Sequence, residues 1–269
     1  MILVCCHKYL PQNHNDLHIP IQVGAAISKT DLAVTRDDSG DNISNLNPYF
    51  CELTALYWVW ENAPHNDEFY GLEHYRRFFC KPSIFGSKIK YTDASHFSPL
   101  TEKQIRRYLN GYDIILAKQD IFPIRNYSDY AMKHERRDID ILRAVIEELS
   151  PDSITAYDEV MLNSNRISAY NMFISSRSFL DSYCEWLFPI LFEVQKRVDI
   201  SNYDTYQKRI FGFMSERLLN VFVRYKNLRV HYLPIAYFDK APSLAVRIGH
   251  RILRAIDTFR FQIVKQKKY

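Results

Sequence analysis

Between Gly71 and Phe79 the chain reads Gly-Leu-Glu-His-Tyr-Arg-Arg-Phe-Phe, so a carboxylate, an imidazole, a phenol and two guanidiniums stand side by side. Core packing has no use for such a run. Phosphate recognition does, because a guanidinium offers paired N–H donors that match phosphate oxygens. The run follows a strand-like stretch, Glu68 to Leu72, and ligands of α/β domains bind where strands end at their carboxyl edge. The segment therefore predicts an anion site contacted by His74, Tyr75, Arg76 and Arg77. If the segment stays extended, Arg76 and Arg77 point to opposite faces, so that one meets phosphate while the other braces the loop. An ion pair with a nearby Asp or Glu is the competing reading for each arginine.

The elements that would position these residues follow from periodicity. Met1 to Cys6 is an apolar run suited to a buried first strand, and it delivers His7 and Lys8 at its carboxyl end as a first contact for a nucleotide. Residues 35–47 are rich in turn formers and read as a loop. Asn47-Pro48 then opens a helix with Leu53, Leu56, Tyr57 and Trp60 on one face, stopping before Pro64. Trp58 and Trp60 read as core residues of that helix rather than as sugar platforms. Residues 80–99 read as a loop, Thr101 and Gln104 as a capping box for a helix closing near Gly111, and Tyr112 to Ala117 as a buried strand. Tyr127 to Asn163 has a helical period with Ile139, Leu142, Val145, Ile146 and Leu149 inward, broken at Ser150-Pro151, and predicts a helical insert over the sheet. A short strand, Asn171 to Ser175, precedes helices over Phe179 to Val198, kinked at Pro189, and over Phe211 to Val223; Arg229 to Phe238 reads as a last strand. Alternating strands and helices predict an α/β fold with a mainly parallel sheet.

Composition sets the frame. The 269 residues are 47% hydrophobic and 14% aromatic, enough for a substantial core. The five cysteines, Cys5, Cys6, Cys51, Cys80 and Cys184, show neither a CxxC pair nor zinc spacing. No disulfide framework and no metal site is expected, which suits a reducing cytoplasm. No signal-like leader is visible, and the apolar run Trp186 to Phe192 is too short to cross a bilayer. The expected protein is cytoplasmic, either soluble or peripheral at a membrane.

Its net charge of +4 is unevenly placed: Ser243 to Tyr269 carries seven Lys/Arg against one Asp, or +6, leaving −2 for the rest. In that tail Leu244, Ile248, Ile252, Ile256, Phe259 and Ile263 form an apolar helical stripe. Two readings stay open, a last helix packed on the domain or a helix lying on an anionic membrane. Nucleic acid is not expected, because aromatics are not interleaved with the basic residues.

GxGxxG, P-loop, GxSxG and HExxH signatures are all absent. So is an Asp-x-Asp at a strand end, the usual metal clamp of sugar-nucleotide enzymes. The set Cys6-His7-Lys8, Asp38 to Ser44, Cys51 to Trp58, Gly71 to Arg77, Tyr170 to Ile174 and Gly212 to Leu218 resembles a family of bacterial surface-polysaccharide glycosyltransferases long catalogued as a domain of unknown function. That family includes the galactofuranosyltransferase domain of bifunctional O-antigen polymerases, and the resemblance spans residues 1–238.

The resemblance implies a variant GT-A-like fold for a domain over residues 1–240; residues 241–269 lie outside it and are expected, from their own periodicity and charge, to form a separate basic amphipathic helix. It also implies transfer of galactofuranose from UDP-galactofuranose, with inversion to a β-linkage, onto a lipid-linked glycan acceptor in capsule or O-antigen assembly. No cofactor or metal is expected. Another UDP-hexose such as UDP-galactopyranose, or a non-catalytic nucleotide-sugar or glycan-binding module, remains open.

Such a transfer needs fixed cations at the departing diphosphate, here His74, Arg76 and Arg77 with His7 and Lys8. It also needs a general base, for which Glu216 near the start of a helix is the first candidate, Glu73 the second and Asp38 the third. Asp38 fits better as an acceptor for a ribose or sugar hydroxyl. The alternative for Glu216 is an ion pair with Arg217. Asn171 and Arg217 complete the expected sugar contacts, although an asparagine at that place is equally an ordinary turn former.

Overall fold

The computed structural model describes residues 1–8, 15–83 and 86–239, together with Gly249, Ile252, Leu253, Ile256 and Phe261. The chain enters through β1 (Ile2–Cys6), buried at all five positions. Strands β2 (His18–Gln22) and β3 (Thr35–Arg36) run parallel beside it. The helix expected from Asn47 is divided into α1 (Asn47–Phe50) and α2 (Leu53–Asn62), because Cys51 takes φ 53 and ψ −130, outside the helical region. Asn47 does not cap the helix; its side-chain amide donates to the Cys51 carbonyl at 2.8 Å and holds the break.

The motif strand is β4 (Tyr70–His74), two residues later than the sequence suggests, and β5 (Arg77–Phe79) folds back antiparallel to it. Glu73 and His74 are thus strand residues, and Tyr75-Arg76 is the tip of a hairpin. Strand β6 (Ile89–Tyr91) emerges from the stretch read as loop. Helix α3 (Glu102–Leu109) opens on the expected capping box of Thr101 and Gln104. Next come β7 (Ile114–Ala117), β8 (Asp120–Ile121) and the helical insert α4 (Asn126–Lys133), α5 (Arg136–Leu149) and α6 (Ile154–Met161). Ile139, Leu142, Val145 and Ile146 face the core as expected, whereas Leu149, at the helix end, is half exposed.

Strand β9 (Arg166–Ile167) pairs with β8, and β10 (Phe173–Ser175) leads into α7 (Arg177–Arg197), which contains Pro189, and α8 (Ile210–Tyr225). The last expected strand is two, β11 (Val230–Leu233) and β12 (Ile235–Tyr237). Pro234 separates them, since proline has no N–H to continue a ladder.

The main sheet runs β11-β7-β10-β4-β1-β2-β3, with β5, β12 and β6 extending it from β4. Only β10 opposes its neighbours along the main path, so the central sheet is mainly parallel, as expected. The carboxyl ends of β1, β4 and β7 therefore share one edge with the amino end of β10. Cys5 stands opposite His74, and the Tyr75 N–H donates to the Cys5 carbonyl at 3.0 Å. His7-Lys8 and Tyr75-Arg76 leave the sheet side by side.

Alternation along the strands splits the core. Leu3, Leu72, Leu116 and Phe173 pack under α2, α5, α7 and α8, while Ile2, Ile115 and Ile174 pack towards Ile105 of α3. The reading of residues 241–269 as a helix lies outside the described residues except for the five named above, all helical, of which Ile252, Leu253 and Ile256 are exposed.

Gly71 lets β4 and β10 approach, since a Cβ there would stand 2.6 Å from the Phe173 carbonyl oxygen. Gly71→Ala is expected to lower unfolding stability by about 1–3 kcal/mol, because backbone cannot yield as a flexible side chain can. A urea titration with an unchanged midpoint would contradict this.

Candidate functional site

A cavity of about 990 Å³ opens at this shared strand edge, on the helix-rich face. The end of β1 contributes Cys5, His7 and Lys8, the hairpin His74 to Arg77, the turn before β10 Ala169 and Tyr170, and the segment after β7 Asp120 and Phe122. Helices close the other side with Cys51 and Glu52 between α1 and α2, Lys133 and His134 at the end of α4, and Lys208, Arg209, Phe213, Glu216 and Arg217 at the start of α8. Residue 212 must be small for this closure, since a Cβ on Gly212 would lie 3.0 Å from the Cys51 sulfur.

Both motif arginines line the cavity, which corrects the expectation of opposite faces: the hairpin turn removes the alternation that an extended segment would impose. The Arg76 guanidinium lies 5.1 Å from the Tyr75 ring, whose edge-on partner is His7 at 5.4 Å. Arg77 sits between Tyr170 and Tyr237, at 4.7 and 4.9 Å, and its buried Nε has no hydrogen-bond partner. Among the described residues neither arginine has a carboxylate at ion-pair distance, so the competing ion-pair reading does not hold. Arg77 is held by aromatic faces instead.

Burial lowers the affinity of His7 and His74 for a proton, and for His7 the neighbouring Lys8 and Arg76 lower it further. The two imidazoles accordingly act near neutral pH as dipoles, with His74 Nε2 2.7 Å from the Tyr170 carbonyl. Among the described residues, fixed charge comes from seven Lys/Arg, namely Lys8, Arg76, Arg77, Lys133, Lys208, Arg209 and Arg217, against three carboxylates, Glu52, Asp120 and Glu216. Lys133, Lys208 and Arg209 carry no motif that would have singled them out.

Tyr170 and Asn171 are consecutive left-handed residues, φ 75 and 53, a backbone state costing on the order of 1–3 kcal/mol each. Their groups hold the site together. The Tyr170 N–H donates to Glu216 Oε1 at 3.0 Å, the Tyr170 carbonyl faces His74, and Asn171 Nδ2 donates to Glu52 Oε1 at 2.7 Å. Glu216, 22% exposed, has its second oxygen 3.2 Å from Arg217 Nη1. Burial raises its pKa and outweighs the pull of Arg217.

Several expected contacts fall elsewhere. Asn171 is 3% exposed and does not line the cavity; it braces Glu52, a residue the sequence reading did not single out for a role. Arg217 does line it, bonded to Glu216 and the Phe213 carbonyl over the Tyr130 ring. Asp38 lies outside, tied to Arg36 at 2.6 Å. Glu73, the second candidate base, is wholly buried on the opposite face of β4 from the cavity, because neighbouring strand residues alternate. It accepts the Phe79 N–H at 2.8 Å and stands 3.5 Å from His18 Nε2. Trp60 stacks on Phe188 and Trp58 bonds Ser39, both away from the cavity. Among the described residues no group of three or more His, Cys, Asp or Glu is arranged to hold a metal ion.

Over residues 1–227 the chain matches the family described as Domain of unknown function (DUF4422). Among solved structures it is similar to the WbbM bifunctional glycosyltransferase in its apo form, with TM-score 0.78 and 29% identity, covering 89% of this chain and 45% of that one. The chain thus spans less than half the length of that protein. No curated protein matches. The α/β arrangement is, by this likeness, GT-A-like.

The His18–Glu73 contact generates a prediction. Burial pushes Glu73 up to about 8 from an ordinary 4.5, and pushes His18 down to about 4. The native state therefore retains a proton on Glu73 that the unfolded chain has released, and stability attributable to this group falls as pH rises from about 4.5 to about 8. Glu73→Gln, neutral throughout, is expected to flatten this slope. Denaturant titrations across that range with an unaltered slope would refute the assignment.

Proposed function

This chain belongs to the DUF4422 family, and on that premise we propose that it is a glycosyltransferase moving galactofuranose from UDP onto a glycan acceptor, with inversion and without a metal. One observation carries the reading: among the described residues, seven Lys/Arg converge with braced carboxylates on one cavity at the carboxyl edge of the sheet, and the arginines of the motif have no carboxylate partner. As the bond from the anomeric carbon to the diphosphate breaks, negative charge grows on the leaving oxygen. Preorganised guanidiniums and ammoniums lower the energy of that charge in a partly desolvated site. Lys8, Arg76 and Arg77, with His7, Tyr75 and His74 as polar contacts, form the proposed diphosphate cradle. Likeness to a bifunctional glycosyltransferase supports the reaction class, and the sequence resemblance supports galactofuranose and a lipid-linked acceptor of O-antigen or capsule assembly. A lipid-linked acceptor would place the protein at the inner face of the plasma membrane, and exposed Ile252 and Ile256 beside the tail's basic residues suit an anionic surface.

Purified protein is expected to transfer from UDP-galactofuranose to a galactose-terminated acceptor equally with and without EDTA. Transfer from UDP-galactopyranose alone would overturn the donor assignment, and abolition by EDTA the metal-free one. Arg76→Ala or Arg77→Ala is expected to weaken UDP binding about tenfold, as loss of a charge-assisted contact implies; calorimetry showing unchanged affinity would remove that arginine from the cradle. Protein truncated at Pro242 is expected to lose co-sedimentation with anionic vesicles, and retained binding would remove the tail from membrane docking.

A further inference from the structure

We infer that Glu52 is the general base of the proposed transfer and that Asn171 is its positioning residue, an inference resting on the transferase reading above. Two of the cavity carboxylates are anchored by the same turn, and their oxygens are in different states. Glu216 Oε1 receives the Tyr170 N–H and Oε2 faces Arg217 Nη1. A proton arriving on either oxygen would meet a donor already in place. Glu52 Oε1 is held by Asn171 Nδ2, while among the described residues Oε2 has no hydrogen-bond or ion-pair partner. A proton can be received there without breaking an existing contact. One oxygen fixed by an amide and the other open to the cavity is the geometry asked of a base.

The backbone around Glu52 points the same way. The helix breaks one residue earlier, at Cys51, with φ 53, so Glu52 stands at the start of α2 rather than within a continuous helix. Glycine at 212 lets α8 close against Cys51. Asn171, itself at φ 53, donates through one amide nitrogen to both Glu52 and the Gly212 carbonyl, at 2.7 and 3.2 Å. Two positive-φ residues, Cys51 and Asn171, and the close approach at Gly212 thus converge from distant parts of the chain on one carboxylate, and such backbone states persist where surrounding structure enforces them.

In the step assigned to it, Glu52 Oε2 takes the proton of the acceptor hydroxyl while that oxygen bonds the anomeric carbon of the donor. The carbon–oxygen bond to the diphosphate breaks, and its electron pair leaves with UDP, whose charge the cavity cations hold. The proton then passes from Glu52 to water. Glu216 keeps Arg217 and the Tyr170 turn in place.

The test compares wild type with Glu52→Gln, Glu52→Asp, Glu216→Gln and Asn171→Ala, measuring kcat, donor KM, UDP affinity by calorimetry and rescue by azide, a nucleophile that needs no base. Glu52→Gln is expected to lose about 10²–10⁴-fold in kcat, to bind UDP as wild type does, and to form glycosyl azide when azide is added. Asn171→Ala is expected to lose kcat at unchanged donor KM and to respond to azide too. Glu52→Asp, which keeps the charge on a shorter arm, is expected to fall between wild type and Glu52→Gln, and its UDP affinity reports on folding. Glu52→Gln turning over within about threefold of wild type, or azide rescuing Glu216→Gln instead, would overturn the inference while leaving the transferase reading intact. Wild type transferring from no UDP-sugar would overturn that reading, and the assignment of Glu52 with it.

Discussion

The cavity depends on the turn at Tyr170-Asn171. Because β10 runs against its neighbours, its amino end arrives where β1, β4 and β7 finish. The turn can therefore reach groups carried by three other parts of the chain. An amide N–H goes to Glu216, a carbonyl to His74 and a side-chain amide to Glu52. None of these groups is adjacent in sequence, and the turn ties each to the same rigid sheet. Left-handed φ values at two non-glycine residues are tolerated because those bonds, and the strand that follows, leave the backbone little alternative.

Charge is the second constraint. Residues 1–242 carry −2 overall, yet among the described residues the cavity collects seven Lys/Arg against three carboxylates. Cations gathered in a concave, partly desolvated space repel one another, which is destabilising unless something spreads the charge. Aromatic faces do part of this work: Arg76 lies on Tyr75, Arg77 between Tyr170 and Tyr237, Arg209 near Phe213 and Arg217 near Tyr130. Around Arg76 and Arg77 the rings hold the guanidiniums in place without neutralising them, while Arg217 is also paired with Glu216 and Asp129, and Lys133 with Asp129. The two motif arginines thus keep a positive field for an anionic ligand that carboxylate partners would have cancelled.

Local rules recovered what is local. The apolar run of β1, the capping box of α3 and the inward face of α5 were legible because burial, capping and the 3.6-residue period act within a few residues. What escaped depends on contacts across the chain. The His18-Ile19-Pro20 start of β2 hides a strand, since proline is rare in sheet interiors, and only pairing with β1 places it there. Pro234 divides a run that periodicity alone joins. Within the motif, residue types were readable but their directions were not: a hairpin brings Arg76 and Arg77 into one cavity, and pleating turns Glu73 out of it. Glu52 was within sight of a recognisable motif, yet its role rests on Asn171, 119 positions away.

Four glutamates and aspartates near the motif show how environment, rather than residue type, sets the chemistry of a carboxyl group. Glu73, wholly buried beside a neutral His18 that Asn15 engages at Nδ1, is kept protonated near neutral pH and accepts the Phe79 N–H as a structural group. Asp38 is committed to Arg36, which lowers its pKa and occupies its oxygens. Glu216 has both oxygens engaged but faces the cavity, so it orders cationic and backbone groups there. Glu52 alone of the four combines cavity access, a fixed oxygen and an open one. Proton transfer needs all three conditions together, because an unfixed carboxylate loses alignment and a saturated one must first give up a bond.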